Sequence, residues 1–204
     1  MTDTRVSTIV FDIGNVLLDW DPRHLYSKIF AREEEMEWFL DHVCTQDWIR
    51  ELDRGRPVAE AVAEQARLFP DYALQIRAFD TRWQETLNGE IEGSVRLLEV
   101  LHERGAPIYA LTNFSAEKFH DTCPRYDFFE RFRGVLVSGE ERLIKPDPAI
   151  FRLMLERFDL KAAECLFIDD NLDNVWAAQN LGLKAVRFEN PSQLEKSLRG
   201  YGFL

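Results

Sequence analysis

Five short runs of apolar, largely β-branched residues punctuate the chain. They are Thr8-Ile9-Val10-Phe11, Ile108-Tyr109-Ala110-Leu111, Val135-Leu136-Val137, Cys165-Leu166-Phe167-Ile168 and Ala185-Val186-Arg187-Phe188. Apolar runs without polar alternation predict strands covered on both faces, as in a parallel sheet. Helical spacing lies between them. Val95, Leu98 and Leu101 recur every third residue, and Gly105 stands where such a helix would end. Asp147-Pro148 reads as an N-cap and first-turn proline leading into Ile150, Phe151, Met154, Leu155 and Phe158. Leu172, Val175 and Trp176 form a third helical pattern that closes at Gly182. Strand and helix therefore alternate from residue 92 onward, which predicts an α/β fold: a three-layer, doubly wound, Rossmann-like parallel sheet.

Residues 20 to 88 break that alternation. Met36, Phe39, Leu40 and Val43 have helical spacing, as do Val58, Val62 and Phe69, and Tyr72, Ile76, Phe79, Trp83 and Leu87. No convincing strand lies among them. The simplest account is a helical insertion after the first strand, returning near Asn88-Gly89 to resume the sheet. The predicted division is a core of residues 1–17 and 89–204 carrying a helical unit of residues 18–88. Trp38 and Trp83 fall on apolar helix faces of that unit and are expected in its core. Glu33-Glu34-Glu35 reads as a solvated helix start, favoured at the positive end of the helix dipole.

Composition narrows the class of function. The 204 residues carry 25 Lys+Arg against 36 Asp+Glu, a formal net charge of −11. That balance argues against nucleic acid and anionic membrane surfaces as partners, since both reward positive charge. No stretch approaches the roughly 18 uncharged apolar residues a membrane span requires. Met1-Thr2-Asp3-Thr4-Arg5 lacks the layout of a secretory signal. Cys44, Cys123 and Cys165 are three and far apart, which suits free thiols in a reducing, cytoplasmic setting. Nothing in the sequence sets an oligomeric state.

Three of the five strand runs end abruptly in polar groups: Asp12-Ile13-Gly14-Asn15, Thr112-Asn113, and Asp169-Asp170-Asn171. Carboxyl ends of strands line the ligand crevice of open parallel sheets. Asp12, Asp169 and Asp170 would repel one another there unless a cation were present, and hard oxygen ligands without histidine suit Mg²⁺. Lys145, ahead of Pro146, would bring a further positive charge into the same crevice. A carboxylate, a metal, a hydroxyl and a lysine are the parts phosphoryl transfer needs. Each residue alone has a plainer reading: Asp12 or Asp170 as a helix N-cap, Thr112 as a turn residue, Lys145 as a solvated charge.

In these residues the sequence resembles the haloacid dehalogenase superfamily, which is mostly phosphatases. Asp12 with its preceding strand is similar to motif I, Leu111-Thr112-Asn113 to motif II, Lys145-Pro146-Asp147-Pro148 to motif III, and Phe167-Ile168-Asp169-Asp170-Asn171 to motif IV. The helical insertion resembles the superfamily's α-helical cap. The string Phe-Asp-Ile-Gly-Asn-Val-Leu-Leu-Asp, with Asp-Asp-Asn-Leu-Asp-Asn, further resembles a bacterial α-D-glucose-1-phosphate phosphatase group. The resemblance implies Asp12 as nucleophile forming an aspartyl-phosphate. It implies Mg²⁺ held by Asp12, the Gly14 carbonyl and Asp170, with Asp169 orienting water or pairing with Lys145. Thr112 and Asn113 would bind phosphate through hydroxyl and backbone N–H, and Lys145 would bridge nucleophile and phosphate. The implied substrate is a small phosphorylated metabolite such as a sugar phosphate.

Two departures stand out. Most phosphatases of the superfamily carry a second Asp, a general acid–base, where this chain has Gly14; such help is typically worth about 10²–10⁴ in rate. Arg142 stands where many relatives have a small residue, and would narrow the entrance or contact substrate. Trp20 is a candidate for lining the substrate pocket, with His24 and Trp48 behind it. Asp19 and Asp21 are candidates for the missing acid or for structural turn roles. His42, His102 and His120 are isolated, and His102 is expected at the surface. Two alternatives remain at this point: a metal-independent 2-haloacid dehalogenase in which Asp12 attacks carbon, and a non-catalytic binding protein.

Overall fold

The computed structural model describes residues 5–204, so the amino-terminal stretch Met1–Thr4, where no secretory signal was read, lies outside the described residues. Five parallel strands form the central sheet in the order β5-β4-β1-β6-β7. They are β1 (Thr8–Phe11), β4 (Ile108–Thr112), β5 (Gly134–Val137), β6 (Cys165–Asp169) and β7 (Lys184–Arg187). Each coincides with one predicted run to within a residue or so. The runs are continuously apolar because both faces are covered. Val10, Leu111, Leu136 and Phe167 meet Ile150, Phe151 and Met154 on one side. Ile9, Phe11 and Ile108 meet Leu98, Leu101, Leu194 and Leu198 on the other. Full burial of each such side chain contributes roughly 1.5–3 kcal/mol.

Between β1 and β4 the chain leaves the sheet through a ribbon that the hydrophobic pattern did not predict. β2 (Leu18–Trp20) pairs antiparallel with β3 (Leu87–Glu90). The helical spacing read from Tyr72 through Leu87 is thus broken near its end, and Leu87 lies in a strand. Between the two ribbon strands stand α1 (Pro22–Tyr26), α2 (Glu33–His42), α3 (Gln46–Asp53), α4 (Val58–Leu68) and α5 (Ala73–Thr81). Phe39, Tyr26 and Phe79 form their buried centre. Trp83 is buried as expected, but Trp38 is 44% exposed and stacks on His42 across one turn of α2.

The remaining helices cover the sheet: α6 (Glu92–Glu103), α7 (Ala116–Thr122), α8 (Ser138–Glu141), α9 (Pro148–Arg157), α10 (Leu172–Asn180) and α11 (Pro191–Gly200). α9 starts as its sequence predicts, with the Asp147 carboxylate accepting from Ala149 N at 2.8 Å. α10 has the predicted span, yet Trp176 and Leu172 point outward and only Val175 of that pattern is buried. No helix among the described residues is long and apolar enough to cross a membrane.

Candidate active site

The site forms where three neighbouring strands end together. Phe11 pairs in register with Ala110 of β4 and Ile168 of β6. Asp12 and Asp169 therefore emerge side by side at the carboxyl edge of the sheet, with Thr112 one residue further along β4, in the ordinary ligand crevice of such folds. The parallel pairing of β1 with both neighbours is what turns three separated sequence motifs into one cluster.

Lys145 enters this cluster from the loop after α8. Its ammonium lies 2.8 Å from Asp12 Oδ1 and 2.7 Å from Asp169 Oδ2, and donates to the Leu111 carbonyl at 2.9 Å. The side chain is wholly buried. Burial alone would lower its pKa, but the two carboxylates outweigh that cost and raise it, so the lysine stays charged. The side chain of Asn113 fixes its backbone. Asn113 Nδ2 donates to the Lys145 carbonyl at 3.0 Å, and Lys145 N donates to Asn113 Oδ1 at 2.8 Å. Sequence reasoning assigned Asn113 only a backbone role and did not foresee this clamp.

Asp169 and Asp170 are adjacent in sequence but differ in environment. Asp169 is fully buried and accepts from Lys145, from Asn174 Nδ2 at 3.0 and 3.1 Å, and from Asn171 N at 2.8 Å. Its oxygens are occupied by the protein. Asp170 is partly exposed, and its carboxyl is pushed up by burial and by the neighbouring Asp169. Oxygens of Asp12, Asp169 and Asp170 lie within 4.8 Å of one another. Three carboxylates around one bonded ammonium leave about two negative charges uncompensated, and burial compounds the strain. The Asp12 carboxyl is pushed up to about 8, first by burial and then by Asp169 and Asp170, against the pull of Lys145. A divalent cation with hard oxygen preference fits this donor set. Asp12 and Asp170 retain free capacity to hold it. The turn's backbone hydrogen bonds use the carbonyls of Ile13 and Leu18 rather than that of Gly14.

Thr112 is 1% exposed and its hydroxyl has no hydrogen-bond partner. A buried orphan hydroxyl costs about 1–3 kcal/mol, and it stands at the crevice where an oxyanion would satisfy it.

Next to the carboxylates lies a cavity of about 70 Å³. Trp20, Trp83 and Phe114 form its aromatic wall, three aliphatic side chains complete that wall, and Gly14, Asp53 and Asn113 form its polar end. Trp20, the candidate for the substrate pocket, lines this cavity, and its indole Nε1 is buried without a partner. His24 and Trp48 do not line the cavity: His24 meets Asp19 at 3.2 Å, and Trp48 packs edge-on against Phe79. Neither Asp19 nor Asp21 is placed as an acid. Asp19 accepts from Asn88 Nδ2 at 2.9 Å, a bond that holds its carboxyl below the usual range, and Asp21 caps α1 through Arg23 N. Arg142 is exposed in a left-handed conformation beyond α8, away from the cavity lining.

Asp53, the last residue of α3, is the cavity's carboxyl and was missed. A signal for it exists in the sequence: a negative charge on the last turn of a helix opposes the dipole, and Asp53-Arg54-Gly55 puts one there. Burial pushes its carboxyl up to about 7, against the Lys145 charge, the Ser115 backbone N–H and Arg50.

A family model of haloacid dehalogenase-like hydrolases matches residues 6–182. Among curated proteins, the sesquiterpene phosphatase astK of Aspergillus oryzae is 27% identical over 183 residues, 88% of either chain. The glyceraldehyde 3-phosphate phosphatase of Pyrococcus furiosus is 25% identical over 213 aligned positions, covering 95% of this chain and 85% of that one. Among solved structures, a HAD family enzyme of Bacteroides thetaiotaomicron in complex with magnesium and inorganic phosphate superposes with a TM-score of 0.70 at 24% identity. The match covers 91% of this chain and 95% of the other and speaks to the fold.

Proposed function

The chain belongs to the haloacid dehalogenase-like hydrolases, and from that premise we propose that it is a Mg²⁺-dependent phosphatase of a small phosphorylated metabolite, working through an aspartyl-phosphate on Asp12. The observation that carries this reading is the charge arrangement at the strand ends: Asp12, Asp169 and Asp170 gathered around one buried lysine, beside the orphan hydroxyl of Thr112. Phosphatase relatives of similar length support it.

Each residue has a role that follows from its position. An Asp12 carboxylate oxygen attacks phosphorus. Lys145, locked in place by Asp169 and Asn113, neutralises the nucleophile and the phosphoryl oxygens. The Thr112 hydroxyl and the Asn113 backbone N–H hold those oxygens. Asp12, the Gly14 carbonyl and Asp170 would hold Mg²⁺, which when bound supplies charge neutralisation for the phosphoryl group. Asp169 acts through Lys145 rather than on water. Residues 18–88 serve as the cap over the core of residues 1–17 and 89–204, and exclude water while the acyl-phosphate exists.

The aromatic cavity supports a substrate whose organic group offers an apolar face, as a pyranose ring or a terpenyl chain does. A sugar phosphate, glucose-1-phosphate among them, stays within this class. Cytoplasmic residence fits Cys44, Cys123 and Cys165, which are unpaired.

The test is phosphate release from p-nitrophenyl phosphate, glucose-1-phosphate and farnesyl phosphate, with Mg²⁺ and with EDTA, alongside chloride release from L-2-chloropropionate. Phosphate release that EDTA stops and Asp12→Asn abolishes is the expected result. Chloride release indifferent to EDTA would overturn the reading in favour of attack on carbon.

A further inference from the structure

The geometry beside Gly14 leaves a specific gap. A Cβ built on Gly14 meets nothing within 4 Å, so the position next to the nucleophile is open space facing the cavity. Phosphoester cleavage nevertheless needs a proton for the departing oxygen whenever the leaving alcohol is a weak acid. Among the described residues, Asp53 is the only ionisable side chain lining the cavity. It lines the cavity together with Gly14 and Asn113, from the end of α3 in the helical segment.

We propose that Asp53 is the general acid–base of the reaction, supplying from the cavity lining the carboxyl that Gly14 lacks. This rests on the phosphatase reading above. In the first half-reaction Asp12 forms a bond to phosphorus as the bond from phosphorus to the leaving oxygen breaks. The Asp53 carboxyl gives its proton to that oxygen, releasing a neutral alcohol and leaving Asp53 as carboxylate. In the second, a water oxygen attacks the phosphorus of the aspartyl-phosphate while Asp53 takes the water's proton. Inorganic phosphate leaves, Asp12 is free again, and Asp53 is reprotonated. One phosphomonoester and one water give one alcohol and one phosphate.

The surroundings hold Asp53 for this task. Its backbone carbonyl accepts from Ser138 Oγ at 2.7 Å, and Ser138 Oγ in turn accepts from Phe114 N at 2.9 Å. Two residues on, a Cβ at Gly55 would lie 2.5 Å from the Gly139 carbonyl, and Gly139 is itself packed against Ala116 N. The end of α3 is therefore seated on α8, which in turn packs on the loop that follows β4. The apolar wall and the helix C-terminus both disfavour the ionised form, which keeps a proton available near neutrality. The other acids near the neck of the segment are committed: Asp19 to Asn88 and His24, Asp21 to the start of α1.

The experiment compares substrates that need a proton with one that does not. On Mg²⁺-loaded protein, kcat/KM is measured for n-butyl phosphate and p-nitrophenyl phosphate in wild type, Asp53→Asn, and Asp53→Asn combined with Gly14→Asp, each checked for folding by its thermal melt. Asp53→Asn is expected to lower the butyl phosphate value by about 10²–10⁴ and the p-nitrophenyl phosphate value by about tenfold at most. Adding Gly14→Asp should restore most of the butyl phosphate loss. An equal fall on both substrates, or no fall on either, would overturn the proposal. Should Asp53→Asn not fold, a series of aryl phosphates on the wild type decides. A shallow dependence on leaving-group acidity supports an acid in place, and a steep one overturns it. Wild-type protein that releases phosphate from none of these substrates would instead overturn the phosphatase reading itself.

Discussion

The amide of Asn113 grips the main chain of Lys145 from both sides, donating to its carbonyl at 3.0 Å and accepting from its N–H at 2.8 Å. The ammonium at the other end of that residue is the positive charge bonded to Asp12 and Asp169. A neutral side chain at the end of β4 thus sets where the site's cation stands. Asn113→Ala should leave two backbone groups of Lys145 without partners, at about 1–3 kcal/mol each. The expected melt is lower by several degrees, with kcat/KM down by at least about tenfold if a small misplacement of the lysine is felt as such displacements usually are. Melts and kinetics on the same preparation check both. A stable Asn113→Ala protein with full activity would show that the clamp does not position Lys145.

Asp169 and Asp170 should separate cleanly by mutation. Asp170→Ala removes the carboxyl that the protein leaves free, so the melt without metal should not fall. The Mg²⁺-induced rise in melting temperature should disappear. In wild type, Mg²⁺ at a hundredfold excess over its Kd adds about 2.7 kcal/mol, or roughly 5–10 °C for a chain of this size. Asp169→Ala breaks a buried ion pair, and by the usual cost of about 3–5 kcal/mol it should lower the metal-free melt steeply. Differential scanning fluorimetry with EDTA and with Mg²⁺ reads all of this. A retained Mg²⁺ shift in Asp170→Ala would move the metal away from that residue.

The sheet and the three polar strand ends were legible because both follow from period and position. Val10 and Phe167 are apolar without interruption since helices cover both faces, and Asp12 and Asp169 interrupt that pattern abruptly at the crevice. Elsewhere the pattern was too weak or too local. β2 has three residues, Leu18-Asp19-Trp20, too few to show a period of two, and β3 carries Gly89. Trp38 lies on an apolar stripe by spacing, yet its ring finds His42 rather than the core. Asn113 and Asp53 act through contacts with residues 32 and 85 positions away in the chain: Lys145 in one case, Ser138 in the other. Spacing along one element carries no information about such pairs.

Asp53 should leave a signature in the pH dependence of stability. Its folded carboxyl is pushed up to about 7 from an ordinary value of 3.8. The folded protein keeps that proton where the unfolded chain has lost it. The contribution is therefore fully present below about 4 and is lost as pH rises toward about 7, with a slope of up to about 1.4 kcal/mol per pH unit. Asp53→Asn has no such proton. The melting temperature of wild type relative to Asp53→Asn should decline between pH 4 and 7 and level off above it, leaving the variant the more stable at pH 8. A difference that stays flat across this range would mean that the carboxyl is not held away from water.

Gly55 and Gly105 offer a paired test of how the helical segment sits on the core. Both adopt left-handed backbone, with φ of 88° and 76°. An alanine at either position meets the same intrinsic penalty of about 1–2 kcal/mol. Around Gly105 there is open space, whereas the Cβ at Gly55 would stand 2.5 Å from the Gly139 carbonyl and 3.2 Å from Arg142 Cγ. A backbone oxygen at that distance cannot rotate away, so the turn after α3 must lift from α8 beneath it. Gly105→Ala should lower the melt by roughly 2–8 °C and leave kcat/KM near wild type. Gly55→Ala should lower the melt further and reduce kcat/KM, because Asp53 moves with the turn. If the two alanine variants melt together and remain equally active, the contact between Gly55 and Gly139 does not hold the segment in place.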